Sequence, residues 1–230
     1  MLFSKDGKEW TAPKTVLDPG DWLWRVTWHQ GVCYGVSYNN RVRRTPPTTV
    51  PTDAGKASAD TTDWELKLVS STDGENFTPV AQLDVPGSPN ETTLRFLADG
   101  RMAALVRREG GDMTGWVGTS KTPYTQWSWK PLPQRVGGPN FIQLPDGRLI
   151  AVTRKYASGA KTVLSWLDVD KGTLDDILTF PSGGDTSYAG MVWHGGLLWV
   201  SYYSSHEQNK ASIYLAKVKL SSVEEKPGTP

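Results

Sequence analysis

Two arginines occupy equivalent positions in two similar segments of the sequence. Arg107 follows Gly100 by seven residues, and Arg154 follows Gly147 by the same interval. A planar guanidinium group presents paired N–H donors that match a carboxylate, so two arginines converging on one point would hold a carboxylate-bearing ligand. The pair therefore predicts a binding site for an acidic small molecule, provided that the fold brings both side chains together.

Both arginines end a segment with the pattern of a β-hairpin, in which two apolar runs flank Asp99-Gly100 or Asp146-Gly147. A D-G pair between alternating apolar runs is a strong signal for a tight hairpin turn. Alignment on the turn glycine brings out four such segments: residues 26–38, 93–107, 141–154 and 191–203. The hairpin therefore repeats along the chain.

The spacing of the repeats predicts the architecture. The turn glycines Gly31, Gly100, Gly147 and Gly196 are separated by 69, 47 and 49 residues. Intervals near 45 residues match a four-stranded blade of a β-propeller. The long first interval contains residues 39–63, which are polar and rich in Pro and Thr, and we expect an inserted loop there. The sequence thus predicts an all-β propeller with about four blades in this chain.

A second repeat, S-x-D-G-x-x-aromatic, lies between the hairpins at residues 4–10 and 71–77. The Asp side chain of such a turn can accept hydrogen bonds from backbone N–H groups, and Gly permits a positive φ. We expect each copy to join the outer strands of a blade, at residues 2–17 and 68–83. Residues 174–178, LDDIL, are expected to form a surface turn rather than a helical one, because Gly172 and Pro181 bracket them.

These signals predict one propeller domain over residues 1–220, with a flexible tail over residues 221–230. The blade cores are expected near residues 22–85, 90–133, 137–180 and 184–220. Because the chain starts on outer strands, we expect the partner inner hairpin to lie upstream of Met1, in a longer propeller. The strands around residues 26–38 and 191–203 would then lack neighbours, which favours self-association through the open edge.

Composition excludes several classes of partner. Lys and Arg number 25 against 24 Asp and Glu, a net charge of +1, whereas nucleic acids and acidic membranes need a concentrated basic field. No apolar run approaches the ~20 residues that span a bilayer, and the start of the chain lacks the signal-peptide pattern. One cysteine and three histidines without ligand spacing predict no metal site, and we expect no cofactor.

The propeller fold predicts where polar residues gather. The inner strand of each blade begins, and the second strand ends, at one rim of the central channel, which we call the mouth; the D-G turns lie on the opposite rim, the turn rim. Segments at the mouth supply the candidate ligand-binding and catalytic side chains: Arg25, Glu91, Arg107, Arg154, Asp185, Tyr188 and His206. His206 and Asp185 rest on their position near the mouth alone, and His29 and His194 fall on the turn rim.

Three segments carry a resemblance to a known family: NETTLRFLADGRMAALVRRE at residues 90–109, GGPNFIQLPDGRLIAVTRKY at 137–156 and GGDTSYAGMVWHGGLLWVSYYSSHE at 183–207. With the two S-x-D-G turns, they resemble the sialidase-like (BNR or Asp-box repeat) β-propeller superfamily, and most closely bacterial exo-α-sialidase-like proteins. The likeness runs from about residue 2 to 220. It implies a six-bladed fold and a secreted or periplasmic protein.

The resemblance also implies roles for individual residues. Tyr188 matches the nucleophile and Glu91 the glutamate that polarises it; Arg107 matches one arginine of a triad that grips the sugar carboxylate, and Arg154 a second. No residue matches the third arginine or the acid/base Asp. The chemistry is consistent, because a phenol with a pKa of about 10 needs an adjacent base to become a nucleophile, and sialidases depart from the usual carboxylate pair in this way.

Structural interpretations stand beside each of these roles. Tyr188 also fits an ordinary strand aromatic, Glu91 a solvated loop acid, and Arg107 and Arg154 members of surface ion-pair clusters. Arg25, between Trp24 and Trp28, fits equally well a residue lining the mouth or a cation stacked on an indole.

The expected function is a sialidase-type glycoside hydrolase, or a fragment of one, acting on a terminal acidic sugar. Two alternatives remain open: a non-catalytic carbohydrate-binding propeller that keeps the aromatic mouth, or a polysaccharide lyase or other glycosidase on the same scaffold.

Overall fold

The computed structural model describes residues 1–44 and 63–220. Within them the chain forms fifteen β-strands and no helix, and no segment of helix long and apolar enough to cross a membrane occurs in this part. The predicted tail, residues 221–230, and most of the predicted insertion lie outside the described residues.

The strands form four antiparallel sheets, each built from strands that follow one another in the chain. Blade 1 contains β1 (Trp22–His29), β2 (Val32–Arg44), β3 (Asp63–Ser71) and β4 (Thr78–Gln82). Blade 2 contains β5 (Pro89–Phe96), β6 (Met102–Arg108), β7 (Thr114–Ser120) and β8 (Trp127–Arg135). Blade 3 contains β9 (Gly137–Gln143), β10 (Leu149–Lys155), β11 (Lys161–Asp168) and β12 (Thr173–Thr179). Blade 4 contains β13 (Thr186–His194), β14 (Leu197–Ser204) and β15 (Ser212–Val218).

This arrangement confirms the all-β propeller with about four blades. The six-bladed number implied by the resemblance stays a prediction. Residues 174–178 lie within strand β12, so the expected surface turn there was wrong; Leu174 and Leu178 pair with β11 at Leu167 and Leu164. Residues 39–44 extend strand β2 instead of opening a loop.

The D-G turns have the same hydrogen bonds in blades 2 and 3. In blade 2 the backbone N–H of Leu97 donates to the carbonyl of Arg101 at 2.8 Å, and Gly100 has a φ of 84°. Leu144, Gly147 and Arg148 repeat this arrangement, with 2.8 Å for the first bond and a φ of 91° at the glycine. Glycine is required because a side chain disfavours a positive φ. The two predicted hairpins are therefore confirmed.

The two S-x-D-G turns also share their hydrogen bonds. Asp73 Oδ1 accepts from the backbone N–H of Glu75 and Asn76, each at 2.8 Å, and Asp6 accepts from Lys8 and Glu9 in the same way. The first copy, however, is not flanked by strands. Residues 1–21 have no assigned strand, and Thr11 N–H to Phe3 O, Lys14 N–H to Met1 O and the amino group of Met1 to Lys14 O join the two sides of the turn.

Apolar side chains fill the three interfaces between consecutive blades. Because both faces of β6 meet another blade, its residues alternate between two cores: Ala103 and Leu105 face blade 3, and Met102 and Ala104 face blade 1. A third core joins blades 3 and 4 around Ile150. In the described part of the chain the outer face of blade 4 has no such cover, and Val192, Ile213 and Leu215 on it are 55, 85 and 62 % exposed.

The four inner strands form a ring around the channel, with a side-chain hydrogen bond at each junction. The donors and backbone acceptors are Thr27 to Leu94 at 2.9 Å, Thr93 to Pro139 at 2.6 Å, Asn140 to Ala189 at 2.8 Å and Arg25 to Ala189 at 3.1 Å. The last bond joins β13 back to β1, so side chains of the first and fourth blades meet at the axis. The ring places the starts of all four inner strands at one mouth.

Candidate functional site

A tyrosine and a glutamate meet at the mouth. Tyr188 Oη donates a hydrogen bond to Glu91 Oε1 at 2.9 Å. Glu91 is buried at the start of β5, whereas Tyr188, near the start of β13, is 41 % exposed. The two residues are 97 positions apart in the sequence, so only the ring of inner strands brings them together. Their contact leaves a phenol facing solvent with a carboxylate behind it.

Local irregularities of the inner strands aim these side chains. The β5–β6 register shifts between Pro89 and Thr92, on either side of Glu91, and the β13–β14 register shifts between Ser187 and Gly190, on either side of Tyr188. A bulge rotates the side chains that it contains relative to the regular alternation of a strand. Tyr188 itself has a φ of 56°, a strained value for a residue with a side chain, as is often found at functional sites.

The second oxygen of Glu91 is fixed by two donors. Glu91 Oε2 accepts from Arg107 Nη1 at 2.9 Å and from the backbone N–H of Gly138 at 2.9 Å. Gly138 has a φ of 51°, and a Cβ there would lie 2.1 Å from Ser187 Oγ. Only glycine therefore lets the backbone approach Glu91, and the carboxylate is held in one orientation with Oε1 toward the phenol.

Charges at the mouth act on the pKa values of the tyrosine and the arginine. Burial, the negative charge of Glu91 and the hydrogen bond to it raise the pKa of Tyr188, while Arg107 and Arg154 oppose the rise. Burial disfavours the charged form of Arg107, but its hydrogen bond and ion pair with Glu91 outweigh this, so its pKa is raised. The phenol is therefore neutral at pH 7, and Arg107 is charged.

Arg154 lies at the mouth with its own partners. Its Nη1 contacts Asp185 Oδ1 at 3.0 Å, and its Nε donates to Tyr156 Oη at 3.1 Å. Tyr203 Oη also donates to Asp185 Oδ1, at 2.7 Å. Asp185, whose side chain is 68 % exposed, thus forms the outer edge of the site together with Tyr203.

Arg107 and Arg154, the two arginines predicted to hold a ligand carboxylate, already form ion pairs with carboxylates of the protein. Arg107 forms ion pairs with Glu91 and Glu109, and Arg135 holds the other oxygen of Glu109 at 2.8 Å. The neighbouring Arg108 points away from the mouth, where its Nη1 lies 2.7 Å from Asp112 Oδ1. A ligand carboxylate at these arginines would share them with the side chains already bound.

Aromatic rings surround the dyad. The Tyr188 ring centroid lies 5.2 Å from that of Trp24 and 5.8 Å from that of Tyr203. Trp22 stacks on Tyr38 at 6.3 Å and is 60 % exposed. Exposed rings of this kind offer apolar faces on which a sugar ring can stack.

Two of the predicted residues form no hydrogen bond with the dyad. Arg25 turns toward the axis, where its Nη2 donates to the Ala189 carbonyl, and its guanidinium carbon is 5.9 Å from the Trp24 ring centroid. His206 Nδ1 lies 2.9 Å from Ser204 Oγ, with its ring 4.8 Å from that of Tyr214. The structure therefore brings Glu91, Arg107 and Tyr188 into one hydrogen-bonded chain and places His206 in the turn between β14 and β15.

Sequence reasoning missed Glu109, Tyr156 and Gly138. Glu109 and Tyr156 each follow a candidate arginine by two residues, so strand alternation places each of them on the same face as that arginine. This spacing is the sequence signal that indicates both residues. No signal in the sequence marks Gly138 N–H as a donor to Glu91. Across residues 1–44 and 63–220, no group of three or more His, Cys, Asp or Glu side chains is arranged to hold a metal ion.

No protein-family model matches the chain, and neither does any curated protein. Solved structures do. A Dyadobacter fermentans protein of unknown function has a TM-score of 0.73 and 18 % identity over 92 % of this chain, which spans 61 % of that protein's length. An endo-arabinase from Bacteroides thetaiotaomicron has a TM-score of 0.62 and 14 % identity, covering 97 % of this chain and 87 % of its own.

A third similar structure is an endo-1,4-beta-xylanase from Bacteroides thetaiotaomicron, with a TM-score of 0.57 and 14 % identity over 90 % of this chain and 73 % of that one. At such identities the likeness shows the β-propeller fold alone. The arabinase and the xylanase are propeller glycoside hydrolases and are not sialidases specifically.

Proposed function

We propose that this chain is the site-bearing part of a propeller glycoside hydrolase that releases a terminal acidic sugar, with Tyr188 as nucleophile and Glu91 as its base. The observation that carries the proposal is the 2.9 Å hydrogen bond from the exposed phenol to the buried carboxylate. Two of the similar structures are an arabinase and a xylanase, which supports a carbohydrate as the class of substrate.

In the proposed step, Tyr188 Oη attacks the anomeric carbon and its proton passes to Glu91 Oε1. The C–O bond to the leaving group breaks, and its electron pair stays on the departing oxygen. The raised pKa of Tyr188 means that the phenol does not ionise alone, so a base must take the proton as the bond forms. A neutral phenol also approaches an anomeric centre bearing a carboxylate without the repulsion that a carboxylate nucleophile would meet.

Arg107 and Arg154 are proposed to hold the carboxylate of the sugar. Because Arg154 is bound to Asp185, ligand binding would shift the exposed Asp185 away from it. The chain has no residue that matches the acid/base Asp of the resembled family, so nothing assigned here protonates the departing oxygen. We therefore expect turnover mainly of glycosides with an aryl leaving group, which departs without a proton.

The test uses the 230-residue chain and a 4-methylumbelliferyl glycoside of sialic acid. We expect slow release of the fluorophore, loss of release in Tyr188→Phe, and a 10²–10⁴-fold loss, roughly, in Glu91→Gln, because an amide cannot accept the phenol proton. Tyr34→Phe, which removes a hydroxyl on the turn-rim side of β2, is the matched control. Activity of Tyr188→Phe equal to that of the Tyr34→Phe control would end the nucleophile assignment.

A second candidate, a hydrolase of neutral polysaccharides, is favoured by the arabinase and xylanase neighbours. The ion pairs that already occupy Arg107 and Arg154 are consistent with a substrate that has no carboxylate. Aryl arabinosides and xylosides distinguish the two. Turnover of these with none of the sialoside would favour the second candidate, while binding without turnover of any would favour a carbohydrate-binding propeller.

A further inference from the structure

Two arginine side chains meet at the axis of the ring, below the mouth. Arg25 comes from β1 and Arg95 from β5, and one hydrogen-bonded bridge links them. Arg25 Nη2 donates to the Ala189 carbonyl at 3.1 Å, Asn140 Nδ2 donates to the same oxygen at 2.8 Å, and Arg95 Nη2 donates to Asn140 Oδ1 at 2.8 Å. The remaining acceptors of Arg95 are Thr27 Oγ1 and the Leu94 carbonyl. All of these acceptors are neutral.

Neither arginine has a carboxylate partner in the part of the chain that the structure describes. This separates them from the mouth arginines, since Arg107 and Arg154 each contact an acidic side chain. In addition, Arg25 Nε is buried and has no hydrogen-bond partner. A buried donor without an acceptor costs roughly 1–3 kcal/mol. The charge of Glu91 acts on Arg25, whereas no acidic group among the described residues acts on Arg95.

The two positive charges also act on each other. Burial lowers the pKa of Arg25, although the charge of Glu91 opposes this; for Arg95 the nearby charge of Arg25 adds to burial and lowers the pKa to about 10. Both side chains remain partly exposed, so solvent reaches them along the channel. A like-charge pair of this kind is destabilising unless a counter-charge is bound between its members.

We propose that the channel binds one small monovalent inorganic anion, of the size of chloride, between the guanidinium groups of Arg25 and Arg95. After the hydrogen bonds to protein, Arg25 keeps its Nε N–H, both N–H groups of Nη1 and one of Nη2, and Arg95 keeps its Nε N–H and one of Nη2. These donors suit a single compact anion; a sugar acid would also need room for its ring. The anion joins β1 to β5 at the point where the first and fourth blades meet, beside the dyad, since the charge of Glu91 acts on Arg25.

Thermal unfolding of the full chain tests the site, with sodium chloride replacing sodium gluconate at constant ionic strength. We expect 200 mM chloride, our chosen concentration, to raise Tm by about 3–6 °C relative to gluconate, and we expect this rise to level off at higher chloride concentrations. The reason is that a ligand that binds only the folded state stabilises the folded state. Arg95→Gln removes one guanidinium and should lose most of the rise. Arg101→Gln, which removes an arginine from the turn rim, should keep it. Equal Tm values in both salts, or an unchanged rise in Arg95→Gln, would overturn the proposal.

A second measurement does not depend on a variant that folds. Crystals of the wild-type chain grown in sodium bromide should show one anomalous peak between Arg25 and Arg95. A well-ordered axis without such a peak overturns the site, and a peak only at other surface arginines does the same.

Discussion

Glu91 links the other polar groups of the mouth, because its two carboxylate oxygens have different hydrogen-bond partners. Oε1 accepts the Tyr188 phenol, while Oε2 accepts Arg107 and the Gly138 N–H. Arg107 therefore acts on the dyad and on a bound carboxylate together, whereas Arg154 has no contact with Glu91 among the described residues. The two arginines, equivalent in the sequence repeat, are not equivalent in the site.

Lysine substitutions at Arg107 and Arg154 should have different effects on kcat. We expect Arg154→Lys to raise KM roughly tenfold with a smaller change in kcat, because an ammonium cannot reproduce a bidentate contact. We expect Arg107→Lys to raise KM similarly and also to lower kcat, because the Glu91 carboxylate loses a fixed donor. Steady-state kinetics on the aryl sialoside measure both, and identical effects of the two substitutions on kcat would contradict the assigned difference.

Among the structural elements, the irregular starts of the inner strands matter most. Each of the four inner hairpins has a register shift near the mouth, at Leu23/Val26, Pro89/Thr92, Val152/Arg154 and Ser187/Gly190. In a regular strand, side chains would point alternately to the two faces of the sheet from the turn rim to the mouth. The register shifts interrupt this alternation, and Glu91 and Tyr188 point toward each other. The dyad is thus a property of the bulges as much as of the residue types.

Substitution of Gly138 tests the dependence on backbone geometry. In Gly138→Ala the added methyl group would lie 2.1 Å from Ser187 Oγ and 2.7 Å from Tyr188 Cδ1. We expect a loss of about 1–3 kcal/mol in the free energy of unfolding and a loss of activity, because Tyr188 must move. Gly159→Ala is the matched control, since that glycine also has a positive φ, 84°, but nothing lies within 4 Å of the added atom. Denaturant unfolding and activity of both variants measure the difference.

The hairpin turns predict an acid limit to stability. The backbone N–H of Arg101 and its side chain hold the pKa of Asp99 below the ordinary value. Burial raises the pKa of Asp146, but its bonds to Arg148 outweigh this and lower it. Groups with a depressed folded pKa stabilise the fold above their unfolded pKa of about 4, and this contribution is lost as the pH falls through the folded value.

We therefore expect the free energy of unfolding to fall below about pH 4, and Asp99→Asn to flatten part of that dependence. Denaturant unfolding at several pH values measures it. Asp84→Asn, which changes an aspartate outside the turns, serves as a control. If the free energy of unfolding of Asp99→Asn changes with pH as that of the wild type does between pH 2 and 5, a range of our choosing, then the Asp99 turn does not contribute to the pH dependence.

The elements of this fold were largely predictable, and the site only in part. D-G pairs between apolar runs mark hairpins by local chemistry, so the blades follow from the sequence. The surface turn predicted for residues 174–178 was wrong, because acidic residues on the exposed side of β12 resemble the residues of a turn. The left-handed backbone of Tyr188 and the donation from Gly138 arise from contacts between blades, and no local pattern encodes them.

At the scale of the whole molecule, the uncovered face of blade 4 is the dominant feature. Tyr214 and Ala216 of β15 pack on blade 3, while Ile213 and Leu215 alternate with them and face solvent. An exposed apolar sheet face next to an edge strand favours association with another chain. The self-association anticipated from the sequence is therefore proposed to use this face.

Light scattering should detect that association as an apparent mass that rises with protein concentration. We expect Ile213→Lys to reduce the rise, because a buried charge would oppose the contact. Ile177→Lys changes an isoleucine that is 40 % exposed on β12 of blade 3, and it should leave the association unchanged. A wild-type chain that stays a monodisperse monomer at all concentrations would rule out the contact.

Among the strands that the structure describes, each sheet takes its strands from consecutive parts of the chain, and none crosses into another blade. Duplication or deletion of one such stretch in the gene would therefore add or remove a complete blade without breaking a hydrogen-bonded pair inside any other. Only the short side-chain bonds of the inner ring and the apolar faces between blades would need to adjust. An architecture of this kind can change its circumference in evolution one unit at a time.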